Sequence, residues 1–448
     1  MILMFLIILT LPFTNALVIN IGFPLKIYEI IGILLCFMAL ISVIMRKKFI
    51  LLRGEGYSIY IYPLIAFIAW YAFSGVVGIY RASDIVMPVW ALGRNILTNA
   101  VLMKLLYVLL NCFLFGLFIA NIRTKERLIR IIRWWISASV IVSLYAIYLS
   151  ITSAMHSNPW LLPGTLSVQY GFLPGIGEFI RCATFKEGNF YGGYMNASLM
   201  MILPFLFTNT IPSLFQYKKL KWYCFIIMVS GLLISASTIN IVVFVVLMCA
   251  YLWSIQVRKY SIKIKSIFIF IGILLFGIIF ISTPAGKTMV INKIFSNDVQ
   301  MSMSKRDRLG CIVTATKMAL VYPVIGVGPT NFGLYYDRFK LDGMVAGTGE
   351  KRIVNNIYAE ILCETGFTGL ALFLAYLFSI RYLYKKQTKI IDHKLMPLVK
   401  GLYFAFISML IVFIAFPTFT LTFHWVLIAL LIASINIGVM EKRNENSL

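Results

Sequence analysis

The chain is dominated by long uninterrupted apolar runs, at 1 to 20, 24 to 45, 57 to 80, 100 to 121, 134 to 155, 189 to 211, 222 to 238, 239 to 256, 266 to 283, 356 to 380, 400 to 417 and 419 to 438. About 20 apolar residues in a helix span the roughly 30 Å hydrocarbon core of a bilayer, so these runs read as about twelve membrane spans. Barrel strands would alternate polar and apolar residues, and these runs do not. The first run has neither a basic leader nor a small-residue cleavage site and is expected to be a retained span. Residues 222 to 256 are also drawable as one long segment. Only 12% of the 448 residues are charged, too few to cover a soluble surface, which excludes soluble, disordered and disulfide-rich secreted classes. The expected fold is an all-α polytopic membrane bundle.

The chain carries 40 Lys and Arg against 16 Asp and Glu. With an inside N-terminus, the connections 46 to 53, 122 to 133, 213 to 221, 257 to 265, 381 to 400 and 441 to 448 hold 24 of those 40 basic residues. The excess of Lys and Arg on one side sets the topology, with both termini cytoplasmic. Most of the positive charge is thereby topological, which argues against nucleic acid as a partner. Ten of the other basic residues crowd into one long outer connection, about 284 to 355, and Arg181 and Lys186 lie in a second, about 156 to 188. Long loops are exempt from the orientation rule, so this charge needs another explanation. The organisation is therefore 1–283 (about nine spans, with outer loop 156–188), loop 284–355 with a helix near 305–322, and 356–448 (about three spans and a cytoplasmic tail). Ser304 and Asp307 stand at capping-box spacing for that loop helix.

Seven cysteines show no CxxC pattern, three histidines are scattered, and no DxD cluster occurs, so neither a metal nor any other cofactor is expected. A disulfide between Cys182 and Cys311 is permitted only by compartment. His424, in a span near its outer end, has a plain reading as a neutral imidazole bonded to nearby backbone. Lys104, about a turn into its span, reads as a snorkelling side chain.

Three outer stretches combine charge, glycine and amide residues. The first runs from Arg181 through Phe185, Lys186 and Glu187 to Gly192-Gly193. The second begins Lys305-Arg306-Asp307-Arg308 and continues to Tyr322-Pro323-Val-Ile-Gly326-Val-Gly328-Pro329-Thr-Asn331-Phe332. The third runs Arg352-Ile-Val-Asn355-Asn356-Ile-Tyr358-Ala-Glu360, then Glu364-Thr-Gly366. Arginine forks suit bidentate phosphate binding, and a helix N-terminus adds free N–H groups. A carboxylate can take a proton from an attacking hydroxyl. The plain alternatives are a solvated basic face for Arg306 and Arg308, an ion pair that steadies the span for Glu360 and Glu364, and turn chemistry for Gly326 and Gly328.

In this order, and flanking one long outer loop, these stretches resemble the O-antigen ligase and O-antigen polymerase (Wzy-type) superfamily of polytopic membrane glycosyltransferases. The resemblance covers about 165 to 380 in detail. It implies a fold related to the C-type glycosyltransferases and a metal-independent, inverting transfer of glycan from undecaprenyl pyrophosphate. On that likeness Arg181, Lys305, Arg306, Arg308, Arg352 and Tyr358 bind pyrophosphate or glycan, and Glu187 and Glu360 are candidate bases, with His424 an outsider. Ligases of the family typically carry a histidine where Asn355 or Asn356 stands here, and an amide cannot act as a base. Gly188 replaces the usual proline after Glu187. These departures favour a polymerase of lipid-linked repeat units at the outer face of the bacterial inner membrane, working with a chain-length regulator and a flippase. The alternatives are a ligase that moves finished glycan to lipid A core or another acceptor, and a lipid-linked oligosaccharide flippase or transporter.

Overall fold

The computed structural model describes residues 2–20, 24–46, 56–82, 94–173, 177–207, 217, 219–256, 299–342, 344, 352–391 and 394–446. In chain order these form α1 (Ile2–Thr10), β1 (Val18–Asn20), β2 (Pro24–Lys26), α2 (Ile27–Arg46), α3 (Tyr57–Arg81), α4 (Arg94–Asn121), α5 (Lys125–Ala154), β3 (Tyr170–Leu173) and β4 (Gly177–Ile180). They continue with α6 (Gly188–Phe207), α7 (Leu220–Ile234), α8 (Thr238–Gln256), α9 (Val299–Val321), α10 (Phe332–Phe339), α11 (Ile357–Gln387), α12 (Met396–Val412) and α13 (Thr422–Asn446).

Among the described residues, seven helices are long and apolar enough to cross a membrane, namely Tyr57–Arg81, Ala100–Asn121, Lys125–Ala154, Gly188–Phe207, Ile357–Gln387, Met396–Ala415 and Thr422–Arg443. Three shorter apolar helices accompany them at Ile27–Ser42, Leu220–Ile234 and Thr238–Ser254. The expected count of about twelve spans is thus not reached among the described residues, and the 266 to 283 segment lies outside them.

The expected span 1 to 20 is a correction. Its helix stops at Thr10, and nine residues at about 1.5 Å each cannot cross a bilayer. The following stretch is held by the loop before α6 instead: Asn15 N–H donates to the Thr184 carbonyl (2.9 Å), the Asn15 amide to the Ser167 carbonyl (2.5 Å) and the Thr184 hydroxyl to the Pro12 carbonyl (2.7 Å). Pro12 has no N–H with which to continue the helix. The all-α expectation is also modified by two hairpins, β1 with β2 and β3 with β4, each antiparallel.

Residues 222 to 256 resolve into two helices, because the chain turns at Ser235–Ser237, where Ala236 is left-handed at φ 47°. The connection 122 to 133, expected to lie outside the membrane, is largely helical. Thr124 caps α5 by accepting the Arg127 N–H (3.3 Å), and Arg127, Arg130 and Arg133 line an exposed face opposite buried Leu128, Ile131 and Ile132.

At the centre stand α6 and α13, each with 89% of its apolar window buried against 33–56% for the other crossing helices. Trp135 of α5 donates to the Ser198 hydroxyl of α6 at 2.8 Å and stacks on Tyr194 at 5.3 Å. Such small hydroxyls and close ring contacts knit helices together where hydrophobicity alone cannot.

α11 is two helices joined at Gly366, whose φ of 71° and ψ of −177° break the helical ladder. The turn Tyr322–Phe332 takes up the freed groups. Val327 N–H donates to the Cys363 carbonyl (2.9 Å), Gly328 N–H to the Glu364 carbonyl (2.8 Å), and Phe367 N–H to the Pro323 carbonyl (2.7 Å). Broken helices are tolerated at membrane depth only where protein satisfies the backbone in this way. Gly328, at φ 94°, also meets Gly78 of α3, and a Cβ on Gly328 would lie 2.5 Å from the Gly78 Cα. Gly328→Ala is therefore expected to destabilise the protein by about 2 kcal/mol or more, read as a lowered midpoint of thermal unfolding in detergent. An unchanged midpoint would mean that the loop does not depend on this contact.

Candidate functional site

The described residues form two polar clusters. The first is built around Arg181, delivered by β4. Its backbone N–H donates to the Gln169 carbonyl (3.0 Å), and its neighbour Ile180 is pinned to α5 through Ser150 and Ser153. The Arg181 side chain runs between two glycines. A Cβ on Gly171 would lie 3.1 Å from the Arg181 Cδ, and one on Gly188 would lie 2.9 Å from its Nη2. Gly188 is also the first residue of α6, so the guanidinium lies across that helix's N-terminal turn. Gly188 N–H is already used, donating to the Gln169 side-chain oxygen at 2.7 Å.

The Arg181 Nε is buried without a hydrogen-bond partner among the described residues. Burial pulls the Arg181 guanidinium below its ordinary pKa; the Cys182 sulfur and the Glu187 carboxylate oppose that shift, while the Arg308 guanidinium adds to it. Arg181, Arg308 and Glu187 are thus within electrostatic reach of one another. Arg308 itself is exposed on α9, and Glu187 is half-buried. A half-buried cation with a second cation beside it and an enclosed, unused N–H can accept an anion as partner. Cys182 is no reactive thiol, because burial raises its pKa. All seven cysteines, Cys182 and Cys311 included, are free.

The second cluster joins α4, α11 and the turn. Lys104 Nζ lies 2.7 Å from Glu360 Oε1 and 3.1 Å from Glu364 Oε2. Residues four apart share one helix face, so a single ammonium can bridge both carboxylates. The second Glu364 oxygen accepts the Thr330 N–H at 2.8 Å, and Thr330 is held in the left-handed region at φ 69°. A cavity of about 190 Å³ opens here, lined by Lys104, Thr330, Arg352, Glu360 and Glu364 among others. Arg352 is tied to Asp307 of α9 at 3.3 Å and lies over the Tyr336 ring at 5.7 Å.

The proposed residues therefore fall in two places. Arg181, Glu187 and Arg308 form the first cluster, and Arg352 and Glu360 line the second. Asn356 caps α11, its side-chain oxygen accepting the Ala359 N–H at 3.0 Å, while Asn355 is half-buried beside it. The Tyr358 hydroxyl donates to the Leu410 carbonyl of α12 at 2.8 Å, which turns it into the bundle. Lys305 and Arg306 lie within α9, and their side chains are outside the described part. α9 begins at Val299, so Ser304 is inside the helix rather than at its cap, and neither Arg306 nor Arg308 stands in its first turn. The free N–H groups of the α9 N-terminus are therefore not beside those two arginines.

Lys104 is no snorkelling residue, since its ammonium is bound inward. The signal that could have found it was a cation in a span beside two carboxylates at i and i+4. Thr330 had no sequence signal beyond its place after Gly328-Pro329. His424 does not match its expected backbone bond: its Nδ1 has no partner among the described residues, and Phe413, Phe416 and Phe423 surround the ring at 4.9, 5.4 and 4.1 Å.

No curated protein matches the chain. The family match begins in α7 and ends within α11, so it includes the docked turn and Glu360 and Glu364 of the second cluster but not Lys104, Arg181 or Glu187. Residues 223–374, about a third of the chain, match the family described as O-antigen ligase, a match that supports the resemblance to the O-antigen ligase and polymerase superfamily.

Proposed function

We propose that this protein polymerises undecaprenyl-pyrophosphate-linked glycan repeat units at the outer face of the bacterial inner membrane, by metal-independent, inverting glycosyl transfer. The observation that carries the reading is the half-buried Arg181, whose enclosed Nε has no hydrogen-bond partner among the described residues, with Arg308 beside it and two glycines making its space. Such a site suits a pyrophosphate whose negative charge grows as it leaves. An acceptor hydroxyl attacks the anomeric carbon, the bond from that carbon to the pyrophosphate oxygen breaks, and a base receives the hydroxyl proton. Inversion requires the base opposite the leaving group. Glu187 shares the arginine cluster, so Glu360, in the separate cavity, is the better base, and Glu187 balances the arginine charge.

The family description favours a second reading, a ligase that moves finished glycan to lipid A core or another acceptor. Asn355 and Asn356 speak against it, because neither can take the proton and Asn356 is spent on a helix cap. A lipid-linked oligosaccharide flippase is the third alternative. The length profile of surface glycan in a strain lacking the gene separates the three. Single repeat units are expected for a polymerase. Full-length polymer stranded on undecaprenyl pyrophosphate would indicate a ligase, and repeat units confined to the cytoplasmic leaflet a flippase; persistence of normal long chains would remove the protein from the pathway.

A further inference from the structure

The cavity at Lys104 has a different chemistry from the arginine cluster, and the difference identifies what it can hold. Its cations are already engaged: Lys104 by Glu360 and Glu364, and Arg352 by Asp307. An anionic ligand entering here would meet two carboxylates with no uncommitted positive charge to offset them, so pyrophosphate is disfavoured. What the wall offers is a mixture of acceptors and donors held in fixed positions. Each carboxylate has about four lone-pair sites. Lys104 and the Thr330 N–H occupy one direction on each oxygen of Glu364.

Thr330 supplies a further polar atom. Its hydroxyl oxygen is buried without a hydrogen-bond partner among the described residues, although its backbone is bonded to Glu364. Its left-handed backbone is an unfavourable conformation for a β-branched residue and marks a place where structure has been given up for position. The ring of Phe332 completes the lining with an apolar surface. Adjacent hydroxyls above, a C–H face below and no net charge describe a neutral sugar ring. At about 190 Å³ the cavity is smaller than the roughly 300–1,000 Å³ of sites for larger ligands, so it suits one ring rather than a lipid-linked chain.

We infer that the cavity between α4, α11 and the Gly328–Phe332 turn binds a neutral, hydroxyl-rich sugar ring, the terminal residue of the acceptor glycan, with Glu364, Thr330 and Lys104 as its positioning groups. This assignment rests on the polymerase reading above. It separates the two substrates by charge: the leaving pyrophosphate at Arg181 and Arg308, the neutral acceptor at Lys104, Glu360 and Glu364.

The test uses the full-length protein in detergent and, as probe, the neutral oligosaccharide freed of lipid and phosphate from the host's own lipid-linked repeat unit. Binding is followed by saturation-transfer NMR. Thr330→Val keeps the side-chain shape and removes one hydroxyl, so affinity should fall about three- to tenfold. Glu364→Gln should weaken it by more than about tenfold. Arg181→Ala and added inorganic pyrophosphate should leave probe binding unchanged. Equal affinity in wild type and Thr330→Val, or displacement of the probe by pyrophosphate, would overturn the assignment. A wild-type protein that extends lipid-linked repeats but never binds the neutral probe would overturn it too, while leaving the polymerase reading intact. Failure of the wild type to extend lipid-linked repeats at all would instead remove the reading on which the assignment rests.

Discussion

Arg181→Ala and Arg308→Ala are each expected to abolish chain extension while the protein accumulates in the membrane at its normal level. A positioned donor aimed at charge that develops in the transition state is worth about a hundred- to a thousandfold in rate. Arg181 combines that role with an absence of structural duty. Its side chain makes no hydrogen bond among the described contacts and its enclosed Nε is unpaired, so its removal takes away a cation that holds no structural hydrogen bond. Loss of activity without loss of protein is the signature that separates a ligand-binding arginine from a structural one. Arg181→Lys should recover little, because an ammonium lacks the planar fork and is more strongly hydrated. Gly188→Ala should mimic the arginine loss in milder form: its Cβ would stand 2.5 Å from the Ser235 carbonyl oxygen and crowd the guanidinium. Immunoblots of membranes and the ladder of surface glycan read both quantities in the same cells. Normal ladders in both alanine variants would remove the phosphate clamp.

Lys104→Met should act in the opposite way, on stability first. The ammonium is 14% exposed and the two carboxylates it bridges are 10% and 4% exposed. Removing one partner of a buried ion network leaves charge without compensation and costs about 3–5 kcal/mol. The penalty here comes from two carboxylates on one helix face, held against the docked turn through the Thr330 N–H. A steeply lowered thermal midpoint in detergent is expected, with loss of protein from the membrane. The compensating variant, Lys104→Met with Glu360→Gln and Glu364→Gln, should recover most of the stability and none of the activity. If Lys104→Met alone were as stable as wild type, the network would have no structural part.

The division between what was legible in the chain and what was not follows the range of the interactions. Apolar runs report local composition, and the helices at 57–81, 188–207 and 422–443 sit where composition puts them. The 1 to 20 run failed because its competitor is distant: Asn15 bonds a loop 152 positions away, and no local pattern records that. The break at Gly366 carried only a lone glycine as its sign. What makes it a joint is the turn at 322–332, whose N–H groups take the carbonyls of Cys363 and Glu364. Among the candidate residues, the arginines were visible because long connections are exempt from the rule by which positive charge orients spans. Lys104 was not, because its meaning lies in partners 256 and 260 positions along the chain. The loop helix was seen, but its start at Val299 was not, since Ser304 imitates a cap from inside it.

The central claim is that this chain alone joins lipid-linked repeat units. It is tested most directly by placing the purified full-length protein in liposomes with a synthetic undecaprenyl-pyrophosphate-linked repeat unit and a chelator, and separating the products by size. The account predicts a ladder of extended lipid-linked glycans, with free undecaprenyl pyrophosphate released once per linkage, and no ladder from Arg181→Ala. A repeat unit that stays single with the wild-type protein, or a ladder that Arg181→Ala makes equally well, would contradict it.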